Sequence, residues 1–98
     1  MEDGIRVAAC LKVKPGTQQA METAMLACAS TSLAEEGCLL YAGHYDQSDE
    51  DRLVFVEQWT SQAVLDEHRT TPHFQAFAAA PGDLVDRASE IIVLHEIR

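Results

Sequence analysis

Residues 52–60, RLVFVEQWT, alternate Phe55, Glu57 and Trp59 with Val54, Val56 and Gln58, so a strand here is apolar on both faces. Residues 38–45, CLLYAGHY, and 90–97, EIIVLHEI, share that character. A sheet built from such strands has to be covered on both sides, because a large exposed apolar patch marks a surface that something buries. Helices of the same chain can cover one side. The sequence must show where those helices are and what covers the other side.

Residues 5–13, IRVAACLKV, are a further period-two segment, with Ile5, Val7, Ala9, Leu11 and Val13 on one face. Lys14-Pro15-Gly16-Thr17 ends it, and Thr17 is placed to cap a helix over 18–35 whose apolar face carries Met21, Ala24, Met25, Cys28 and Leu33. Gly37 terminates that helix, and the polar run DQSDED, 46–51, predicts a solvated turn. Ser61 can cap a short helix carrying Val64, Leu65 and His68. Pro72 can start another, over 72–80, presenting Phe74, Phe77 and Ala78. Pro81-Gly82 breaks it, one more turn is expected over 83–87, and the last strand follows.

The order β-α-β-β-α-β is the split βαβ arrangement of an α+β, ferredoxin-like fold, expected here as a single domain over residues 1–98. Helices cover only one face of such a sheet. A second copy packed sheet to sheet is the simplest cover for the other, so a homodimer is expected.

Sixteen acidic against seven basic residues give a net charge of −9, with the cations scattered along the chain. That field argues against nucleic acid and against an anionic membrane surface as partners. The N-terminal MEDGIRVAAC is acidic where a signal peptide is basic, and no apolar run approaches the length of a membrane span, so a cytoplasmic protein is expected. Cys10, Cys28 and Cys38 lack metal-ligand spacing and read as small apolar residues; Cys38, beside Gly37, is the one to test as a nucleophile.

Candidate chemistry gathers between positions 57 and 77. Glu57 sits in an apolar strand and therefore needs a partner: a hydrogen bond, an ion pair across an interface, or a role as a pocket base with a raised pKa. Trp59, Phe74 and Phe77, with Tyr41 from the neighbouring strand, can wall an apolar pocket between sheet and helices. His68 and His73 are candidate acid/base residues or hydrogen-bonded structural histidines. Their five-residue spacing, interrupted by Pro72, does not place both on one helical face, so no metal is expected. Phosphate-binding glycine loops and a GxSxG elbow are missing.

Glu35-Glu36-Gly37-Cys38, then Tyr41, Val56-Glu57-Gln58-Trp59, Leu65, His68 and Thr71-Pro72-His73-Phe74 fall in an order that resembles the antibiotic biosynthesis monooxygenase superfamily, nearest its bacterial quinol monooxygenase-like members. The resemblance implies a ferredoxin-like protomer, a dimeric α/β barrel, and oxidation of a quinol or polycyclic phenol by O2 without metal, flavin or haem. For such a reaction His68 is the first candidate base, His73 the second and Glu57 the third, with Trp59, Tyr41, Phe74 and Phe77 expected to bind the substrate. The superfamily also holds haem-degrading enzymes, whose key Asn and His positions fall here near Ala9 and Ala78. It holds a sugar-phosphate isomerase of autoinducer processing as well, which shares Thr70 to His73. Fold alone does not choose among these, and a non-catalytic module binding an aromatic metabolite is the rival from another class.

Overall fold

The computed structural model describes residues 4–79 and 84–97. The elements run β1 (Ile5–Val13), α1 (Gln18–Ser32), β2 (Cys38–Asp46), β3 (Asp49–Trp59), α2 (Gln62–His68), α3 (Pro72–Ala79) and β4 (Val85–Leu94). The four strands form one sheet in the order β2-β3-β1-β4, with every neighbouring pair antiparallel. This is the ferredoxin-like topology, and its two central strands are β1 and β3.

Alternation fixes which side chains face the helices. On β1, Ile5, Val7, Leu11 and Val13 are buried and Ala9 is half-buried; on β3, Leu53, Phe55, Glu57 and Trp59 are buried. Burying Phe55 or Trp59 contributes about 1.5–3 kcal/mol or more each. Register then groups Val7 with Glu57 and Ala9 with Phe55 on that inner face, and sets Tyr41 of β2 opposite Glu57. Met21, Met25 and Cys28 of α1 close over the β2 side of the same face.

The outer face remains open. Leu40 and Ala42 of β2, Val56 of β3, Ala8 of β1, and Ile92 and Leu94 of β4 share it by register, and the leucines and isoleucine are 39–44% exposed.

Several boundaries depart from the sequence reading. The acidic run is not one turn: only Gln47 and Ser48 turn, and Asp46 pairs with Asp49 to extend both strands. Lys12 neutralises Asp49 and Arg52 faces Asp46, which lets these carboxylates enter a sheet. Helix α1 stops at Ser32, and Leu33, assigned to its apolar face, is 51% exposed. Thr17 flanks α1 but makes no side-chain cap; its hydroxyl donates to the Lys14 carbonyl instead. The turn expected over 83–87 is replaced from Val85 onward by β4, which ladders against β1 five residues earlier than the apolar run suggests. The break expected at Pro81-Gly82 lies outside the described residues. No helix among the described residues is long and apolar enough to cross a membrane.

Gly37 marks a close approach. Its φ is +89°, and a Cβ there would stand 2.7 Å from Val64 Cγ1 and 2.8 Å from Thr60 Oγ1. The turn leaving α1 can therefore press against the start of α2, and this packing sets Glu35 beside the end of α2.

Candidate functional site

The α2–α3 junction is built by local hydrogen bonds. Ser61 Oγ accepts from Val64 N at 3.2 Å and starts α2. Thr71 ends it and begins α3: its hydroxyl donates to the His68 carbonyl at 2.7 Å and accepts from Phe74 N at 3.3 Å, with Pro72 at the first helical position. The sharp turn between the helices swings His73 back toward His68, so their ring centroids are 5.8 Å apart.

Both imidazoles converge on Glu35, in the bend between α1 and β2. Glu35 Oε2 lies 2.6 Å from His68 Nδ1 and 2.6 Å from His73 Nε2. An ionised carboxylate only accepts, so each of those nitrogens donates an N–H. Neutral His68 is thereby the Nδ1–H tautomer. Its Nε2 is left as an acceptor whose nearest partner is the Tyr41 hydroxyl at 3.4 Å. The His68 side chain is 1% exposed, and its ring packs 4.5 Å from the Trp59 ring and 5.0 Å from that of Phe74.

The oxygen and two nitrogens lie within 4.8 Å of one another, a possible three-donor set for a cation. A cation held at 2.0–2.1 Å in tetrahedral geometry needs its donors about 3.3 Å apart. The 2.6 Å contacts are hydrogen bonds instead, and the set reads as a bridged pair of imidazoles.

Beside His68 lies a cavity of about 150 Å³ between sheet and helices, lined by Val7, Ala9, Phe55, Glu57, Phe74 and Phe77, with Tyr41, His68 and Arg69 at its polar side. Ala9 and Ala78 make room on opposite walls, where larger side chains would fill it. Arg69 is the single Lys or Arg among the described lining residues.

Burial governs the ionisable groups. Desolvation lowers the His68 pKa from 6.5; Glu35 opposes that by hydrogen bonding to the ring, while the charges of His73 and Arg69 add to it. Desolvation raises the Glu57 carboxyl, and the bond from Trp59 Nε1 to its Oε1, at 2.9 Å, offsets part of the rise. The Tyr41 hydroxyl is pushed far above its usual range, chiefly by burial. Burial also pushes the Cys38 thiol up to about 11, which suppresses the thiolate a nucleophile needs.

Of the residues singled out in the sequence, His68, Glu57, Tyr41, Phe74 and Phe77 meet at the cavity. Trp59 is fully buried one layer behind, where it holds Glu57 and stacks on His68. His73 lies off the cavity wall because its ring is drawn to Glu35. Glu57 Oε1 accepts from the indole N–H of Trp59 on its own strand. Glu35 is the member of this group to which no local sequence pattern points. A buried histidine calls for a carboxylate on one ring nitrogen, and that requirement was the available signal for Glu35.

A family model described as antibiotic biosynthesis monooxygenase matches residues 4–80. The chain is 32% identical over 99 residues to the Escherichia coli protein named "Probable quinol monooxygenase YgiN", covering 90% of this chain and 95% of that one. It is 32% identical over 90 residues to sll1783 of Synechocystis, covering 92% of this chain but 61% of that longer protein. The crystal structure of PA3566 from Pseudomonas aeruginosa superposes with a TM-score of 0.91 at 31% identity, covering 100% of this chain and 98% of that one.

Proposed function

The chain belongs to the antibiotic biosynthesis monooxygenase family, and from that premise we propose that it oxidises a quinol or phenol with O2 in the cavity beside His68, the substrate itself being the reductant. The observation that carries this reading is the accepting Nε2 of a buried, carboxylate-held imidazole, met by the Tyr41 hydroxyl at a long 3.4 Å at the edge of an apolar hollow.

Ionisation is the step the protein can assist. A phenol of pKa about 10 is ionised to about one part in a thousand at pH 7, a deficit of about 4 kcal/mol. A positioned base supplies about 10²–10⁴-fold, which is the size required. The substrate O–H bond breaks toward His68 Nε2 and leaves an electron-rich anion. The Arg69 charge favours that anion, and Glu57 accepts a hydrogen bond from a second hydroxyl. The anion passes one electron to O2, and the two radicals join as a hydroperoxide at a ring carbon bearing hydrogen. Loss of water leaves a carbonyl there, with the proton returned from His68 completing the water.

Tyr41, Phe74 and Phe77 hold the ring, with Trp59 buttressing His68 from behind. An apolar hollow of about 150 Å³ is the size that admits one benzene ring in other proteins, so a fused second ring projects toward the open side. The lining suits an aromatic substrate better than a sugar phosphate, since its one Arg is surrounded by apolar walls. His73 is the second candidate base and Glu57 the third.

The open sheet face supports a homodimer. Leu40, Val56, Ile92 and Leu94 of one protomer would pack against the same residues of its partner, closing the two sheets into a dimeric barrel.

An oxygen electrode with reduced naphthoquinones and anthrone-type phenols tests the activity. Stoichiometric O2 consumption that falls at least a hundredfold in His68→Ala supports it. Tight binding with no consumption identifies a sequestering module instead.

A further inference from the structure

With His68 as the base, the reaction above gives Glu35 and His73 no step of their own, although both are in contact with that base or with its partner. Glu35 Oε2 accepts from His68 and from His73 at equal distances of 2.6 Å. Access to solvent separates the two imidazoles, with side-chain exposures of 1% for His68 and 20% for His73. On its outer side Glu35 lines a groove with Glu36, Glu67 and Thr71, an acidic rim that favours a cation at its edge.

A buried base that takes a proton against apolar walls becomes a cation there, and burial opposes that unless a counter-charge touches it. Glu35 supplies one negative charge. It matches one imidazolium, and a second ring 5.8 Å away would be repelled if it were charged at the same time.

We propose that Glu35 and His73 are a charge-balancing outlet for His68: the carboxylate supports one imidazolium at a time, so proton uptake on buried His68 is matched by proton release from His73 to solvent. This rests on the reading of His68 as the base of the cavity. The proton from the substrate hydroxyl bonds to His68 Nε2, while His68 keeps its Nδ1–H on Glu35. A proton carried on His73 leaves from Nδ1 to water, while its Nε2–H stays on Glu35. The net charge of the three groups is unchanged. The cycle closes when His68 returns its proton as water forms and His73 takes one back from solvent. Glu35 and His73 are positioning residues in this scheme, since they act on the substrate only through His68.

The other ionisable groups packed around His68 are a fixed background. Tyr41 from β2 and Cys28 of α1 behind it are held neutral by burial, while Glu57 of β3, its carboxyl pKa raised by desolvation, and Arg69, next to His68, line the cavity.

The test is an imidazole 15N NMR titration of the wild type, His73→Asn, Glu35→Gln and Glu35→Asp, none of which needs a substrate. His73→Asn removes the ring that competes for Glu35, so His68 should protonate at higher pH, by about one unit. Glu35→Gln should move it lower by at least as much and erode the Nδ1–H tautomer, with Glu35→Asp restoring part of the shift. An unchanged or downward His68 titration in His73→Asn overturns the outlet. His73 is partly exposed, so that variant keeps the test available if Glu35→Gln fails to fold. Lack of O2 consumption by the wild type would defeat the proposed reaction and leave these shifts to stand or fall independently.

Discussion

His68 Nδ1 donates to Glu35 Oε2 at 2.6 Å across 33 positions of sequence, joining the end of α2 to the turn that leaves α1. This bond orients the only histidine at the cavity wall and leaves its second nitrogen facing Tyr41 and the hollow. The position of His68 in space is thus set by helix packing, and its proton by one carboxylate.

The first prediction concerns pH. Neutral His68 is the active base and its folded pKa lies below 6.5, so kcat/KM should be level above that value and fall only in more acidic solution. Glu35→Gln should lower the plateau, because the base is weaker, and move the acid limb to still lower pH. The same depressed pKa makes His68 contribute stability that is present above pH 6.5 and lost as pH falls through the folded value. Urea midpoints of the wild type and His68→Gln should therefore converge on acidification.

Trp59→Phe should destabilise the fold beyond the loss of packing. The substitution removes the N–H that satisfies Glu57 Oε1 and leaves a buried acceptor unpaired, worth about 1–3 kcal/mol. Because burial raises the Glu57 pKa, the neutral carboxyl is the better tolerated form. Its contribution is present below pH 4.5 and lost as pH rises through the raised value. The penalty of Trp59→Phe, read from chemical denaturation, should be larger at pH 8 than at pH 4.

Gly37→Ala should cost about 1–3 kcal/mol through overpacking, since the new methyl would meet Val64 and Thr60 at under 3 Å from a left-handed backbone. Its effect should extend to activity, because relief of the clash moves α2 away from the turn that carries Glu35. A variant that loses stability while its kcat is unchanged would show that the turn and the base are not coupled in this way.

Val56→Lys places a charge in the middle of the outer sheet face and leaves the inner face untouched. Sedimentation should show the wild type as a dimer and the variant as a folded monomer or a much weaker dimer. A monomeric wild type at micromolar concentration would remove the dimer from the account.

The order of elements was legible because alternation over β1 and β3 is long and nearly unbroken. Ser61 and Pro72 marked the helix starts correctly, since capping chemistry is local. The acidic hairpin and the start of β4 were not legible: pairing partners on other strands, not their own hydropathy, draw Asp49 and Val85 into the sheet. The site was half visible. Periodicity grouped Glu57 with Phe55 and Trp59 and brought Tyr41, Phe74 and Phe77 to one pocket, but Glu35 reaches the histidines through the packing of Gly37 on α2, a contact no local pattern encodes.

The account turns on whether the cavity ionises what it binds. Anaerobic absorbance titration of a naphthol-type phenol into the wild type and into His68→Gln at pH 7 measures this without O2 or turnover. The wild type should develop the red-shifted band of the bound phenolate, and the variant should bind the phenol in its neutral form. Neutral phenol in both proteins, or phenolate in both, would contradict the assignment of His68 as the base.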